Sequence, residues 1–279
     1  MGCKFKEETT MVVKHNLTAM NSNRMLGITT SSQAKSTERL SSGYKINRAA
    51  DDAAGLAISE KMRRQIRGLT QASANAQDGI SMVQTAEGAL NEVHDMLQRI
   101  NELAVKGENG TLTTSDRSYI NSEVQQLMSE IDRVASTTTF NEKNLLTGSC
   151  SNVDLQVGAE TSQHITLRIV AMNCSGLGLV GSATTATKAG ALNTSCKAAI
   201  AALNEQRSML GAVQNRLEHT ISNLDNIVEN TTSAESAIRD TDMATEMVKY
   251  ANNNILAQAG QSMLAQANQA NQGVLSLLS

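Results

Sequence analysis

Apolar residues recur in long stripes with alternating steps of three and four, and this spacing constrains the fold more than any other feature of the chain. One stripe consists of Ile120, Val124, Leu127, Ile131 and Val134. A longer stripe consists of Met62, Ile66, Leu69, Ala76, Ile80, Val83 and Leu90, followed after a slight shift by Val93, Leu97, Ile100 and Ala104. A third consists of Ile200, Leu203, Leu210, Leu217, Ile221, Leu224 and Val228, interrupted by Arg207 and Gln214. Side chains at this spacing share one edge of an α-helix and bury it against partner helices in a left-handed coil. The sequence therefore predicts at least three long helices packed along a shared axis.

The composition also favours long helices over an ordinary globular core. None of the 279 residues is proline, which costs about 3 kcal/mol inside a helix. The chain has no tryptophan and only 2% aromatic residues, so the side chains that fill large cores are nearly absent. Ala, Leu, Ile, Val and 13 Met must do the packing, which suits a narrow seam between helices.

Turn-forming residues indicate where these helices end. A Ser-Ser-Gly sequence ending at Gly43 separates an N-terminal segment from a helix predicted over residues 52–105, and the carboxylate of Asp51 favours a helix N-terminus. Two glycines within residues 107–110 end that helix. The Thr-Ser-Asp sequence at residues 114–116 offers an N-cap for the next one.

The middle of the chain has a different pattern. Residues 153–157 alternate as VDLQV and residues 164–169 alternate as HITLRI, which predicts a β-hairpin. Residues 175–194 are rich in Gly, Ala, Ser and Thr, which predicts a loop or linker.

Charge and hydropathy exclude several classes of function. The net charge is −3 with both signs interspersed, so no basic surface indicates nucleic-acid binding. No apolar run approaches the roughly 20 residues that a bilayer-spanning helix needs. The opening residues, MGCKFKEETT, lack the apolar core of a secretory signal.

No arrangement of side chains indicates catalysis, a metal or a cofactor. The four histidines, His15, His94, His164 and His219, are far apart, and no hydrolase or phosphate-loop motif occurs. The four cysteines, Cys3, Cys150, Cys174 and Cys196, lack metal-ligand spacing. Cys150 and Cys174 flank the predicted hairpin, so a disulfide and free thiols both remain open. The sequence therefore predicts a protein that is not an enzyme.

The two ends of the chain carry matching halves of a recognisable pattern. Residues 38–69 read ERLSSGYKINRAADDAAGLAISEKMRRQIRGL, residues 239–242 read RDTD followed by MATEM, and the chain closes with ILAQAGQSMLAQANQANQGVLSLLS. Together these segments resemble the bacterial flagellin family over about residues 11–140 and 209–279. The resemblance and the apolar stripes imply a mainly α fold, a long antiparallel helical rod or coiled-coil bundle with a small β-hairpin region in the middle.

The resemblance implies a division of the chain into six segments. Residues 1–10 are expected to be a dispensable extension, because the family pattern begins close to Met11. Residues 11–45 and 239–279 correspond to the paired terminal helices of an inner tube. Residues 46–140 and 195–238 correspond to the helical core domain, and residues 141–194 to a short central hairpin and linker region without the family's variable outer domains.

Two sets of candidate contact residues also come from the resemblance. Residues 97–111, LQRINELAVKGENGT, resemble the segment that the host Toll-like flagellin receptor reads, and the matching contacts are Arg99, Leu103 and, from the neighbouring helix, Glu123. The alternative is that Leu103 belongs to a helix–helix seam and Arg99 is a solvated charge. The leucines near the end of the chain, Leu275, Leu277 and Leu278, resemble the segment bound by the flagellar export chaperone and by cytosolic sensors, and plain packing is their alternative role.

The implied function is that of a subunit polymerising into the extracellular flagellar filament for motility. The implied partners are further copies of the chain in a helical homopolymer, the export chaperone and export apparatus, the hook-associated and cap proteins, and the host receptor, with no nucleic acid and no membrane span. The terminal helices are only weakly apolar, so we expect them to become ordered on assembly. The alternatives are a hook–filament junction protein and a cytoplasmic coiled-coil signalling module.

Overall fold

The protein is mainly α-helical, as the sequence predicts. The computed structural model describes the backbone of residues 15–278 and the side chains of residues 15–270; the expected extension at residues 1–10, Met11 and Cys3 lie outside this part. The helices are α1 (Leu17–Ser42), α2 (Ala53–Glu108), α3 (Thr114–Thr137), α4 (Ala186–Arg239) and α5 (Met243–Leu278). The strands are β1 (Thr139–Phe140), β2 (Lys143–Asn144), β3 (Val153–Gln156) and β4 (His164–Leu167). The chain forms two compact units: a central unit, Arg64–Thr231, and a terminal unit made of the residues before and after it.

The three predicted stripes form the seams of the central unit. The fully buried side chains include Val83, Leu90, Leu97 and Ile100 from α2, Val124 and Ile131 from α3, and Leu203, Leu210 and Leu217 from α4. Helices α2 and α4 run antiparallel. In the first half of α2, Ser73 donates to Asp225 of α4 (3.3 Å), and the Cys196 thiol near the start of α4 donates to the Leu97 carbonyl of α2 (3.0 Å). Burial of aliphatic side chains along one edge of each helix stabilises this packing without aromatic residues.

The predicted hairpin is confirmed as an antiparallel pair of β3 and β4, with Val153 opposite Leu167 and Gln156 opposite His164. A second hairpin, β1–β2, was not predicted; its turn places Asn141 and Glu142 at positive φ. Two-residue turns of this kind match the twist of the strands that they join.

The prediction of a linker over residues 175–194 is wrong in its second half. Helix α4 begins at Ala186, so residues 186–194 are helical. Ala189, Leu192 and Cys196 are fully buried and continue the seam of α4 upstream at the same spacing. Small residues suggested a loop by composition, but in a helical seam they permit close packing.

The cap of α3 also differs by one position from the prediction at residues 114–116. Thr113 is the N-cap residue: its hydroxyl accepts from the Asp116 amide, and the Asp116 carboxylate accepts from the Thr113 amide. This reciprocal arrangement is a capping box, which satisfies two otherwise unpaired backbone donors.

In the terminal unit, α1 and α5 form an antiparallel pair. The side-chain amide of Asn16 donates to the Ala267 carbonyl (2.9 Å) at one end, and the Ser36 hydroxyl donates to Glu246 (2.7 Å) towards the other. Helix α1 stops at Ser42 because Gly43 has a left-handed backbone, φ 76°, and closes the last turn by bonding to the Arg39 carbonyl. Helix α2 begins where Asp52 accepts from the Gly55 amide (2.9 Å).

Cys150, Cys174 and Cys196 are buried free thiols. Burial raises the pKa of Cys174 to about 12, with a further contribution from the Asp132 charge, and burial raises the pKa of Cys196 to about 11. The Cys174 and Cys196 thiols therefore stay protonated at neutral pH and are poor nucleophiles. Of the two states left open for Cys150 and Cys174, the structure shows free thiols.

Candidate interaction surfaces

Exposed apolar side chains are concentrated on the helix pair of the terminal unit. Among the sixteen large apolar side chains that are exposed in the described part of the chain, ten lie on α1 and α5. They are Leu17, Met20, Met25 and Ile28 on α1, and Met243, Met247, Val248, Ile255, Leu256 and Met263 on α5. Three of the ten, Met25, Leu256 and Met263, lie together at one site, and clustered exposed apolar side chains mark interaction sites.

Part of this surface is an apolar groove between α1 and α5. It has a volume of about 310 Å³, and its lining includes Met25 and Leu26 from α1 and Leu256, Gly260 and Met263 from α5. A Cβ atom on Gly260 would lie 3.3 Å from Leu26 Cδ1. The glycine therefore allows the two helices to approach closely beneath the groove.

A buried carboxylate holds the same helix pair together. Glu246 is 3% exposed, and its two oxygens contact the Ser36 hydroxyl at 2.7 Å, the Lys249 ammonium at 3.4 Å and the Arg39 guanidinium at 3.8 Å. The hydrogen bond from Ser36 is the main reason that the pKa of Glu246 is lowered, and Lys249 and Arg39 lower it further against the opposing effect of burial. The carboxylate is therefore charged and fully partnered.

The RDTD segment quoted above ties two connections of the terminal unit together. The Arg239 carbonyl accepts from the Lys45 amide (2.6 Å), and the Thr241 amide donates to the Gly43 carbonyl (3.0 Å). The Arg239 guanidinium lies 4.6 Å from the centre of the Tyr44 ring and 3.0 Å from Glu60. Sequence reasoning recognised the motif but assigned it no structural role, and it missed the Ser36–Glu246 pair. In both cases the partners are far apart in the chain.

The structure brings Arg99, Leu103 and Glu123 together on one face of the central unit. The Arg99 guanidinium donates to Glu123 at 2.8 and 3.0 Å and to Glu102 at 3.1 Å. These two carboxylates raise the pKa of Arg99, Glu123 contributing more. All four residues line a depression of about 400 Å³ between α2 and α3 that also includes the exposed ring of Tyr119.

The members of this set differ in exposure. The side chains of Arg99 and Glu123 are about half exposed, whereas Leu103 is 3% exposed and belongs to the apolar core. The interpretation of Leu103 as a seam residue is therefore correct, and its side chain also forms part of the wall of the depression. Leu275, Leu277 and Leu278 lie in the last turns of α5, outside the residues whose side chains are described.

No group of three or more His, Cys, Asp or Glu side chains in the described part of the chain is arranged to hold a metal ion. Among the helices that the structure describes, none combines the length and hydropathy that crossing a bilayer requires.

Two family models match most of the chain. The bacterial flagellin N-terminal helical region matches residues 13–151, and the bacterial flagellin C-terminal helical region matches residues 194–278. The flagellin of Halalkalibacterium halodurans is 53% identical over 275 residues, which cover 96% of this chain and 100% of the relative. The flagellin of Bacillus subtilis is 46% identical over 303 residues, with the same two coverages.

A solved structure supports the same relationship. The crystal structure of Bacillus cereus flagellin aligns with a TM-score of 0.50 and 28% sequence identity, covering 54% of this chain and 88% of that chain. The curated relatives compared with this chain are flagellins and flagellar filament core proteins. None of these names favours the alternative of a junction protein.

Proposed function

The chain belongs to the bacterial flagellin family and is a structural subunit of the flagellar filament, and from this we propose that subunits join through the apolar side chains exposed on α1 and α5. The observation that carries the proposal is the concentration of ten such side chains on this helix pair. A subunit whose exposed apolar faces meet complementary faces of further copies, without closing a ring, forms an open helical polymer.

The energetics support this surface as the one that drives assembly. Side chains such as Ile255 and Leu256 are more than half exposed in the single chain. Burying a fully exposed side chain of this kind contributes about 1.5–3 kcal/mol, so covering the part that is still exposed contributes roughly half of that. The sum over ten such side chains is comparable to the estimated cost of lost translational and rotational freedom on joining a polymer. The central unit has fewer exposed apolar side chains to contribute: Val105, Tyr119, Val180 and Met209.

Seeded growth tests the proposal. Purified subunits are mixed with short filament seeds, and the products are measured by electron microscopy. Wild-type protein should extend the seeds into long uniform tubes. Ile255→Ser should abolish or strongly slow growth, whereas the matched control Val180→Ser, at an exposed side chain of the central unit, should grow normally.

Both substitutions are at exposed positions, so the stability of the free subunit should change by about 0.5 kcal/mol or less. Normal growth of Ile255→Ser would exclude this part of the surface as a contact. Growth of the wild type that stops after one layer, or discrete particles, would favour a junction adaptor or a closed coiled coil instead.

The division of labour along the chain follows from the same proposal. Residues 11–45 and 239–279 form the inner tube around the filament channel, and residues 46–140 and 195–238 form the helical shell outside it, with residues 141–194 as a short central region. The role is structural rather than enzymatic, and torque passes from subunit to subunit through these contacts. Hook-associated and cap proteins contact the two ends of the polymer.

Export precedes assembly. The subunit leaves the cell through the flagellar export apparatus, and the export chaperone binds Leu275, Leu277 and Leu278 beforehand. Three apolar side chains within four positions provide a hydrophobic anchor for a groove-shaped partner, and the same leucines are the contact for cytosolic innate sensors. Replacing all three by Ser should abolish chaperone binding in a pull-down of the purified components.

Recognition by the host Toll-like flagellin receptor uses the depression between α2 and α3. Arg99 and Glu123 present opposite charges at its edge, Leu103 forms part of its wall, and Tyr119 adds an exposed aromatic ring. An arginine and an aromatic side chain beside an apolar wall are the residue types that dominate binding energy at protein interfaces.

A further inference from the structure

Methionine is the commonest residue type on the exposed apolar surface of the terminal unit. Five of its ten members are Met20, Met25, Met243, Met247 and Met263. A thioether packs as well as a leucine in an irregular contact, but it differs chemically because peroxides oxidise it to a polar sulfoxide. The surface on which the proposed assembly depends is therefore sensitive to peroxides while it remains exposed.

Met25 and Met263 occupy the most consequential positions of the five. They line the apolar groove between the two helices, Met25 from α1 and Met263 from α5, and they are 51% and 60% exposed. Leu26, Leu256 and Gly260 are apolar or small neighbours of the two methionines, and Asn21, Ser22 and Thr29 are the polar members of the lining. A partner side chain seated there would desolvate both sulfur atoms.

We propose that Met25 and Met263 form a peroxide-sensitive modification site, and that their oxidation in the free subunit prevents its incorporation into a polymer. The proposal rests on the proposed function, because it assumes that this surface is buried on assembly. The oxidant is a hydroperoxide such as hydrogen peroxide. The thioether sulfur attacks one peroxide oxygen, the O–O bond breaks, an S–O bond forms, and water leaves; sulfur loses two electrons and the peroxide gains them.

The consequence follows from the cost of burying a polar group. A sulfoxide oxygen is a strong hydrogen-bond acceptor. Leu26 and Leu256 offer it no donor, and of the polar residues that also line the groove, Asn21, Ser22 and Thr29, the Thr29 hydroxyl already donates to the Met25 carbonyl (3.0 Å). Burial without a hydrogen bond weakens the contact, so the critical concentration for polymerisation should rise by about tenfold. Within a polymer the same sulfur atoms are covered and should resist the oxidant.

The experiment compares free subunits with filaments. Both are treated with hydrogen peroxide, and oxidation of each methionine is followed by peptide mass spectrometry. Met25 and Met263 should react in the free subunit and be protected in the filament, and the buried Met82 and Met172 of the central unit should react in neither. The critical concentration for seeded growth is then measured for treated and untreated protein.

Variants assign the effect to the two positions. Met25→Leu/Met263→Leu keeps the volume and apolar character of the groove, and its critical concentration should be the same with and without peroxide treatment. The matched control, Met243→Leu/Met247→Leu, leaves the groove methionines in place and should remain sensitive. A methionine sulfoxide reductase should restore assembly of treated wild-type protein.

Two results would overturn the inference: treated wild-type protein that assembles like untreated protein although Met25 and Met263 are oxidised, or equal oxidation of these two residues in subunit and filament. If the leucine variant assembles poorly even without peroxide, the reductase experiment on the wild type still decides the question. Untreated wild-type protein that does not polymerise would count against the proposed function instead.

Discussion

Glu246 is the one charged side chain among the buried residues of the part of the chain that the structure describes, and it lies between the two terminal helices. Its contacts with Ser36, Arg39 and Lys249 satisfy the charge. Buried charges are costly unless partnered, and removing one partner usually costs more than the pair contributes. The register of α1 against α5 is thus fixed by a polar contact within a weakly apolar pair.

The lowered pKa of Glu246 predicts an acid-sensitive contribution to the stability of the helix pair. A carboxyl with a lowered folded-state pKa stabilises the fold above its ordinary pKa, and this contribution is lost as the pH falls through the lowered value. Glu246→Gln should therefore reduce the stability of filaments at pH 7 by about 1–2 kcal/mol and flatten the decline below about pH 4. Thermal unfolding followed by circular dichroism between pH 7 and pH 3 measures both effects.

Glu38→Gln is the control for this prediction, because Glu38 is a partly exposed carboxylate of α1 paired with the exposed Arg48. It should change stability little at either pH. If the stability of Glu246→Gln fell with decreasing pH as much as that of the wild type, Glu246 would not be the source of the acid-sensitive contribution.

Arg99 gives a second prediction at the scale of a single residue. Arg99→Ala removes the charge at the edge of the depression and leaves Glu123 without its partner, so binding to the receptor ectodomain should weaken by about tenfold. Surface plasmon resonance with the purified ectodomain measures the change. Arg133→Ala is the matched control, because Arg133 is a similarly exposed arginine that pairs with Glu130 on α3. Equal receptor affinities for the two variants would argue against the proposed contact.

At the scale of elements, Gly79 of α2 makes room for a side chain of the β3–β4 hairpin. A Cβ atom on Gly79 would lie 2.5 Å from Leu155 Cδ1. Nearby, the side-chain amide of Asn75 donates to the backbone carbonyl of Gln156 (3.2 Å). The absence of a side chain at Gly79 lets Leu155 of the hairpin pack directly on the helix.

Gly79→Val should therefore lower the free energy of unfolding of the central unit by about 1–3 kcal/mol through overpacking against the hairpin. Gly88→Val is the matched control on the same helix, because no atom lies within 4 Å of a Cβ built there, and it should be neutral or slightly stabilising. Urea unfolding of both variants measures the difference. Equal stabilities would mean that the hairpin is not held by this contact.

The helices and strands also show which sequence patterns were sufficient to predict secondary structure. The seams of α2, α3 and α4 were predicted because the apolar side chains of each stripe recur at the spacing of an α-helix, which depends only on local geometry. The start of α4 was placed too late, since Ala189 and Leu192 lie among small polar residues whose composition resembles a loop. The β1–β2 hairpin was missed because four paired residues are too few to show a strand period.

At the scale of the whole molecule, the two units differ in how much they bury. The described side chains buried on α1 and α5 are Ala19, Ser36, Glu246 and Ala257. In contrast, each of the helices α2, α3 and α4 buries a stripe of apolar side chains. Helices that bury little apolar surface are marginal in water. We therefore expect the order of the terminal pair to depend more on neighbouring subunits than the order of the central unit does.

Amide hydrogen exchange should show this difference. Residues 17–40 should exchange rapidly in the free subunit and become protected in the filament, because burial against other copies offsets the entropy of ordering. Amides of α2 around Leu90 and Leu97 serve as the internal control and should be protected in both states. Equal protection of residues 17–40 in subunit and filament would contradict the expectation.

By itself, the sequence determined that the chain forms long helices with aliphatic seams and a short hairpin, because periodicity and turn chemistry are local properties. Its terminal motifs determined the family. Only the tertiary structure decided that Ser36 meets Glu246, that Arg239 stacks on Tyr44, and that Met25 and Met263 share a groove. These contacts depend on the register of antiparallel helices, and a stripe of similar apolar residues fits several registers almost equally well. The register is settled by a few polar and glycine contacts between residues far apart in the chain.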